Sequence, residues 1–216
     1  MVSRIEHQSE GIAGADEARK YAQNHRKYVG LMYRPMLRDL RRLGLSGRCL
    51  EIGSGPGFLA AMIARQDPKA HITAIDISPD MVGLASGYVK ERGLEDRVRL
   101  VLGDAGDRGF MESLGRFDLV YSTFSVHHWK DPEGCLANIR RAAREGGAVY
   151  LYDLNRVWWL GLVPFGGREV RQLRGAYSSP ELRSVLEKAG FTGITIRKHY
   201  GGLLQSVLVG AVGVAQ

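Results

Sequence analysis

The chain has 216 residues, with 30 Lys and Arg against 23 Asp and Glu, a formal net charge of +7 and 44% hydrophobic residues. That length suits one domain with a core of its own, and the composition excludes a disordered or low-complexity chain. Two cysteines, Cys49 and Cys135, form no CxxC pair, which excludes a disulfide framework and a zinc site and makes a reducing, cytoplasmic setting the expectation. Residues 1–26 are polar throughout, so no secretory signal is expected, and the longest apolar stretch, 157–165, is too short to cross a bilayer.

The basic excess sits in the flanks. Residues 1–48 hold ten basic against five acidic side chains (net +5), residues 49–150 twelve against fourteen (net −2), and residues 151–216 eight against four (net +4). An acidic middle suits a ligand carrying positive charge, whereas basic flanks bear on a second substrate or a surface.

In chain order, residues 16–28 and 34–43 read as helices with no strand before residue 48. Five short apolar runs rich in β-branched residues follow, at 48–53, 71–76, 97–103, 117–123 and 147–153, and these predict buried strands. Ser78-Pro79, Asp131-Pro132 and Ser179-Pro180 each place an acceptor at an N-cap and a proline at the first helical position. Gly44, Gly93, Gly146 and Gly190 are positioned to close helices. Alternation at this spacing predicts an α/β fold with right-handed crossovers and a doubly wound, mainly parallel sheet. Runs at 194–198 and 205–211, joined across Gly201-Gly202, are too close for a crossover and predict an antiparallel hairpin. The expected organisation is one domain over 1–216: a helical cap (1–47), a core (48–154), a substrate-side insert (155–178) and a closing helix with the hairpin (179–216).

The strongest chemical signal is Glu51-Ile52-Gly53-Ser54-Gly55-Pro56-Gly57, directly after a strand and before the helix from Phe58. Glycines there let the backbone turn sharply and let a ligand lie against the main chain. The spacing is GxGxG, not the GxGxxG of dinucleotide binders, and Glu51 suits a ligand with positive charge rather than a pyrophosphate. Asp76 ends the next strand, 21 residues beyond Gly55, where a carboxylate can accept both hydroxyls of a ribose. Gly103-Asp104-Ala105 closes the third strand and supplies a polar group for an adenine edge.

These elements, with Phe117-Asp118-Leu119-Val120, His127-His128-Trp129 and the late Ser179-Pro180-Glu181-Leu182 helix, resemble the class I S-adenosylmethionine-dependent methyltransferases, in their small-molecule, type 11-like branch. The resemblance runs from about residue 30 to the hairpin. It implies a Rossmann-like seven-stranded sheet, S-adenosyl-L-methionine as cofactor and S-adenosyl-L-homocysteine as product. It further implies Gly53, Ser54, Gly55 and Gly57 around the methionyl part with Glu51 beside them, Asp76 on the ribose, Ile77 and Met81 on the adenine face, Asp104 and Ala105 at the adenine edge, and Ser122 on the cofactor floor. No metal is implied.

The sulfonium methyl is already electrophilic, so transfer requires chiefly an aligned nucleophile. A general base is needed only for an acceptor protonated at working pH, and His127 and His128 are the candidates. Tyr28, Tyr33, Asp153, Trp158 and Trp159 are candidate acceptor contacts. Ser122-Thr123-Phe124-Ser125 lacks the Asn/Asp-Pro-Pro-Tyr motif of enzymes methylating exocyclic or amide nitrogens. A small-molecule acceptor is therefore expected, with a monomer or homodimer as the working unit. The alternatives are an RNA or protein methyltransferase and a non-catalytic S-adenosylmethionine-binding module. The apolar stretch 157–165 reads as a lid, a membrane-surface contact or core.

Overall fold

The computed structural model of the chain describes residue 4 and residues 11–156, 173–199 and 208–215. Seven strands, β1 (Arg48–Ile52), β2 (His71–Asp76), β3 (Val98–Leu102), β4 (Phe117–Thr123), β5 (Ala143–Leu154), β6 (Phe191–His199) and β7 (Leu208–Ala215), form one sheet in the order β3-β2-β1-β4-β5-β7-β6. The first five are parallel, and β7 runs antiparallel between β5 and β6. Around the sheet lie α1 (Ala15–Arg26), α2 (Val29–Arg42), α3 (Phe58–Gln66), α4 (Pro79–Lys90), α5 (Arg108–Ser113), α6 (Pro132–Ala142) and α7 (Ser179–Lys188).

Alternate residues of the central strands feed two cores, as a sheet covered on both faces requires. Cys49, Leu119, Tyr121, Tyr150 and Tyr152 pack with α2, α3 and α4 on one face. Leu50, Ile52, Val120, Val149 and Leu151 pack with α6 and α7 on the other.

Helix ends follow local chemistry. Ser78 and Asp131 accept the backbone N–H of Met81 (3.3 Å) and Gly134 (2.9 Å). The last helix is capped one residue earlier than its Ser-Pro pair suggests: Ser178 and Glu181 form a reciprocal capping box, which satisfies two N-terminal donors at once. Gly146 has the expected positive φ of 73° but lies inside β5, where the pairing with β4 shifts register. Helix α2 begins at Val29, five residues before the expected start, and continues through Pro35.

That helix is held by buried polar contacts from the sheet. Tyr150 Oη donates to Asp39 Oδ2 (2.8 Å) and Tyr152 Oη donates to the Met32 carbonyl (2.9 Å). Arg197 and His199 of β6 approach the same Asp39 carboxylate at 3.4 and 3.3 Å. Asp39 is only 3% exposed, so the cluster fixes the angle of α2 through a carboxylate that is costly to leave unpaired. Asp39→Ala is expected to lower the unfolding free energy by about 3 kcal/mol and Tyr150→Phe by about 1 kcal/mol in urea melts. A smaller loss for Asp39→Ala than for Tyr150→Phe would contradict this role.

Candidate active site

The loop leaving β1 is tied to β2 twice over. The backbone N–H groups of Gly53 and Ser54 both donate to the Ile75 carbonyl at 2.9 Å. Asp76, at the end of β2, accepts Gly55 N–H on Oδ2 (2.7 Å) and Ser78 N–H on Oδ1 (2.9 Å). Gly53, Gly55 and Gly57 take φ of +74°, +50° and +76°, a region that penalises any side chain. A Cβ on Gly53 would lie 2.6 Å from Ser125 Oγ and one on Gly57 2.9 Å from Ala85, whereas one on Gly55 would meet nothing within 4 Å. Gly53 and Gly57 are therefore packing glycines, and Gly55 is the one that leaves backbone open to a ligand.

A single cleft opens over this loop, at the carboxyl ends of the strands where β1 and β4 diverge, the ligand position of doubly wound sheets. Of the residues expected to hold cofactor, it is lined by Gly53, Ser54, Gly55, Asp76, Ile77, Met81, Asp104 and Ala105. Burial pushes the Asp76 carboxyl up from its ordinary value, while the N–H groups of Ser78, Gly55 and Ile77 pull it back. Each carboxylate oxygen still has a lone pair to offer. Ile77 is 42% exposed, a flat apolar surface at one end of the cleft. Asp104 turns one oxygen to Gly106 N–H (2.7 Å), so it caps a turn as well as lining the wall.

The other end is aromatic. Tyr21, Tyr33, Phe124, His128 and Trp129 line it with Thr123 and Ser125. His25 Nε2 lies 2.9 Å from Tyr33 Oη and its ring stacks on Tyr21 and Phe58. Burial lowers the His25 pKa and raises that of Tyr33, which favours an uncharged pair at neutral pH. Phe124 has φ +51°, a conformation costing of order 1–3 kcal/mol for a bulky residue and characteristic of binding sites.

The remaining expected site residues stand behind the walls or away from them. Glu51 is 1% exposed, beside Tyr121, and burial pushes its carboxyl well up; a cation bound nearby would draw it down again. Ser122 is fully buried and donates to the Ile52 carbonyl (3.0 Å), joining two strands instead of flooring the cleft. His127 is buried, with Nδ1 2.6 Å from Asp153 Oδ1 and its own N–H donating to Asp153 Oδ2 (3.1 Å). Asp153 is thus a partner of His127, not an open acceptor contact. His128 packs against His127 with ring centroids 4.0 Å apart and the planes tilted by 41°, and it is the member of the pair that lines the cleft. Tyr28 is 59% exposed on the outer surface. Trp158, Trp159 and the stretch 157–165 lie outside the described residues.

Several lining residues were not among the expected site residues. Gly11 and Ile12 close over the Ile77 end, where the Ile12 carbonyl accepts Ser78 Oγ (2.6 Å) and Gly14 N–H donates to Asp80 (3.0 Å). Phe124 and Ser125 follow the end of β4 directly, and Trp129 comes after the short turn Val126–His128, positions that the strand-end rule could have marked. Cys135 enters from the first turn of α6.

S-adenosylmethionine fits these residues on three observations. Glu51 Oε2 and Ser54 Oγ are buried without a hydrogen-bond partner among the described residues, Gly55 is open to the cleft, and Asp76 is held in place with capacity to spare.

Comparison with known proteins agrees with this geometry. Residues 50–151 match a methyltransferase domain family. The chain is 28% identical over 167 residues to a demethylmenaquinone methyltransferase of Thermus thermophilus, covering 67% of this chain and 74% of that protein. It is 30% identical over 117 residues to a ubiquinone biosynthesis O-methyltransferase of Xylella fastidiosa, covering 54% of this chain and 46% of that one, so it spans about half the length of that relative. A SAM-dependent methyltransferase from Aquifex aeolicus has the same fold, with a TM-score of 0.68 and 19% identity over 95% of this chain and all of the other. Over residues 50–151 in sequence and over nearly the whole chain in fold, the protein is similar to the class I S-adenosylmethionine-dependent methyltransferases, in the type 11 branch, a family whose cofactor is S-adenosyl-L-methionine.

Proposed function

We propose that this chain transfers the methyl group of S-adenosylmethionine to a small-molecule acceptor held at the aromatic end of the cleft. The observation that carries this reading is the continuity of one cleft from Ile77 and Asp76, through the Gly55 turn, to Tyr33, Phe124 and His128. The names of the menaquinone, ubiquinone and sterol methyltransferase relatives support a small acceptor.

The bound cofactor supplies an electrophilic methyl on a sulfonium. In this proposal the chain's own work is placement. Asp76 accepts the ribose hydroxyls, because its carboxylate is already oriented by Gly55 and Ser78. The backbone at Gly53–Gly55 and Ser54 Oγ bind the methionyl part, with Glu51 behind them as the buried acidic group. Ile77 and Met81 cover the base, and Asp104 and Ala105 meet its edge. Alignment of this kind is worth on the order of 7–11 kcal/mol in well-oriented reactions. Tyr21, Tyr33, Phe124 and Trp129 exclude water and present flat faces to the acceptor. His128 faces the acceptor and takes its proton when the acceptor is protonated. His127, fixed by Asp153 at two points, packs against the His128 ring and holds it in place.

Calorimetric titration with S-adenosylhomocysteine is expected to show a loss of roughly a hundredfold in affinity for Asp76→Ala, from two charge-assisted hydrogen bonds, and no binding for Gly55→Val, whose side chain would occupy the open position. Wild-type affinity in Asp76→Ala would overturn the ribose assignment. Protonation removes acceptor capacity from Asp76, and burial raises its pKa. Affinity should therefore fall on acidification, beginning above the 3.8 of a free aspartate, and the fall should be smaller in Asp76→Asn, where the Glu51 carboxyl, also raised by burial, still titrates. Incubation with methyl-labelled cofactor and a panel of phenols, thiols, fatty acids and tRNA separates an enzyme from a binding module and identifies the acceptor class. With the acceptor so found, His128→Ala should reduce kcat by roughly 10²–10⁴-fold while leaving S-adenosylhomocysteine affinity within about twofold; equal losses in both would contradict its acceptor-side role.

A further inference from the structure

The exposed face of α2 and of the turn before it carries no negative charge. Every exposed residue from Arg26 to Leu43 is basic, apolar or glycine: Arg26, Lys27, Tyr28, Gly30, Leu31, Arg34, Arg38, Arg41, Arg42 and Leu43. The one acid of the stretch, Asp39, is buried on the inner side with Tyr150, Arg197 and His199. Arg34, Arg38 and Arg42 recur at every fourth position, so they stand one above another along the helix. No ion pair is made by any of these three among the described residues. Like charges in this register destabilise a helix, and other surface helices of the same protein mix signs: Arg19 pairs with Asp16 on α1 (2.8 Å) and Arg183 with Glu187 on α7 (3.8 Å). A groove between α2 and β6 adds Arg197 and Lys198 to Arg38 and Arg42.

Apolar side chains accompany the charge. Tyr28, Leu31 and Leu43 are 59%, 58% and 38% exposed, three of the five large hydrophobic side chains exposed among the described residues. Tyr28 and Leu31 flank the start of the arginine row and Leu43 follows its end. A basic row bordered by exposed apolar residues is the pattern of a helix that lies on an anionic bilayer, with cations at the headgroups and apolar tips between them. Nucleic acid would account for the arginines but not for Leu31 and Leu43. The helix cannot turn its charges elsewhere, because Tyr150 and Tyr152 fix its inner side to β5. Spanning is not at issue, since no described helix is long and apolar enough to cross a membrane.

We infer that the outer face of α2 docks the protein on an anionic membrane surface. The inner face of the same helix carries Tyr33 into the cleft, so docking sets the aromatic end of the cleft close to the bilayer. The docking itself is independent of the proposed methyl transfer, and its test reads binding alone.

The experiment is co-sedimentation of the full chain with phosphatidylcholine vesicles, with and without added phosphatidylglycerol. The protein should sediment with the anionic vesicles, remain in the supernatant with neutral ones, and be released by raised salt. R34E/R38E/R42E should weaken binding by at least roughly tenfold, Leu31→Ala should weaken it with the salt dependence retained, and R183E/K188E, on α7 across the sheet, should bind as wild type. Thermal melts and S-adenosylhomocysteine titration check that the variants fold, with R38Q/R42Q and the salt series as the readout if the triple variant does not. Binding to neutral vesicles alone, binding undiminished by the arginine changes, or single-stranded RNA displacing the protein from vesicles and binding it more tightly would each overturn the inference.

Discussion

The site depends on one carboxylate at the end of one strand. Asp76 accepts the N–H of Gly55 and that of Ser78, and so joins the loop after β1 to the start of α4. Parallel register puts Ile52 beside Ile75, which lets the Ile75 carbonyl take both Gly53 and Ser54 N–H. The loop's glycines permit the turn, and β2 fixes it in place. Burial opposes the charge on Asp76, and the backbone donors offset that cost. The same two bonds that stabilise the loop also orient the carboxylate in the cleft wall, so that in the proposed function a structural and a binding role reside in one side chain.

The rest of the cleft is assembled from segments remote in sequence. The Ile12 carbonyl, accepting Ser78 Oγ, brings the N-terminal stretch over the Ile77 end. The strained turn at Phe124, held by its N–H on the Tyr152 carbonyl (2.9 Å), brings an aromatic ring to the other end. Asp39, on the inner side of α2, fixes the wall that carries Tyr33. Buried polar contacts thus decide where the cap sits, and apolar packing on both sheet faces supplies the core on which they act.

Strands and the glycine turn were legible because their causes are local: β-branched runs, positive-φ glycines and Ser-Pro or Asp-Pro caps act within a few residues. Asp76 and Asp104 were legible for a similar reason, since strand ends in a doubly wound sheet point to the ligand. The partner of His127 was not legible, because Asp153 stands 26 residues away on the neighbouring strand. Ser122 stood at the right strand end, yet its hydroxyl bonds to the β1 carbonyl beside it, a choice made by side-chain orientation in the sheet. Tyr28 and Tyr33 looked equivalent, and the phase of α2 separated them, one exposed and one in the cleft. Charge behaved likewise: the net of +7 gained meaning only when burial of Asp39 left the outer face of α2 without an acid.

We propose that this cleft is built for a sulfonium nucleoside and not for a dinucleotide. Calorimetric titration of the wild-type chain with S-adenosylmethionine and, separately, with NAD tests it most directly. Saturable one-to-one binding of S-adenosylmethionine in the micromolar range is expected, with no heat of binding for NAD. Binding of NAD, or no binding of S-adenosylmethionine to a chain that melts cooperatively, would contradict it.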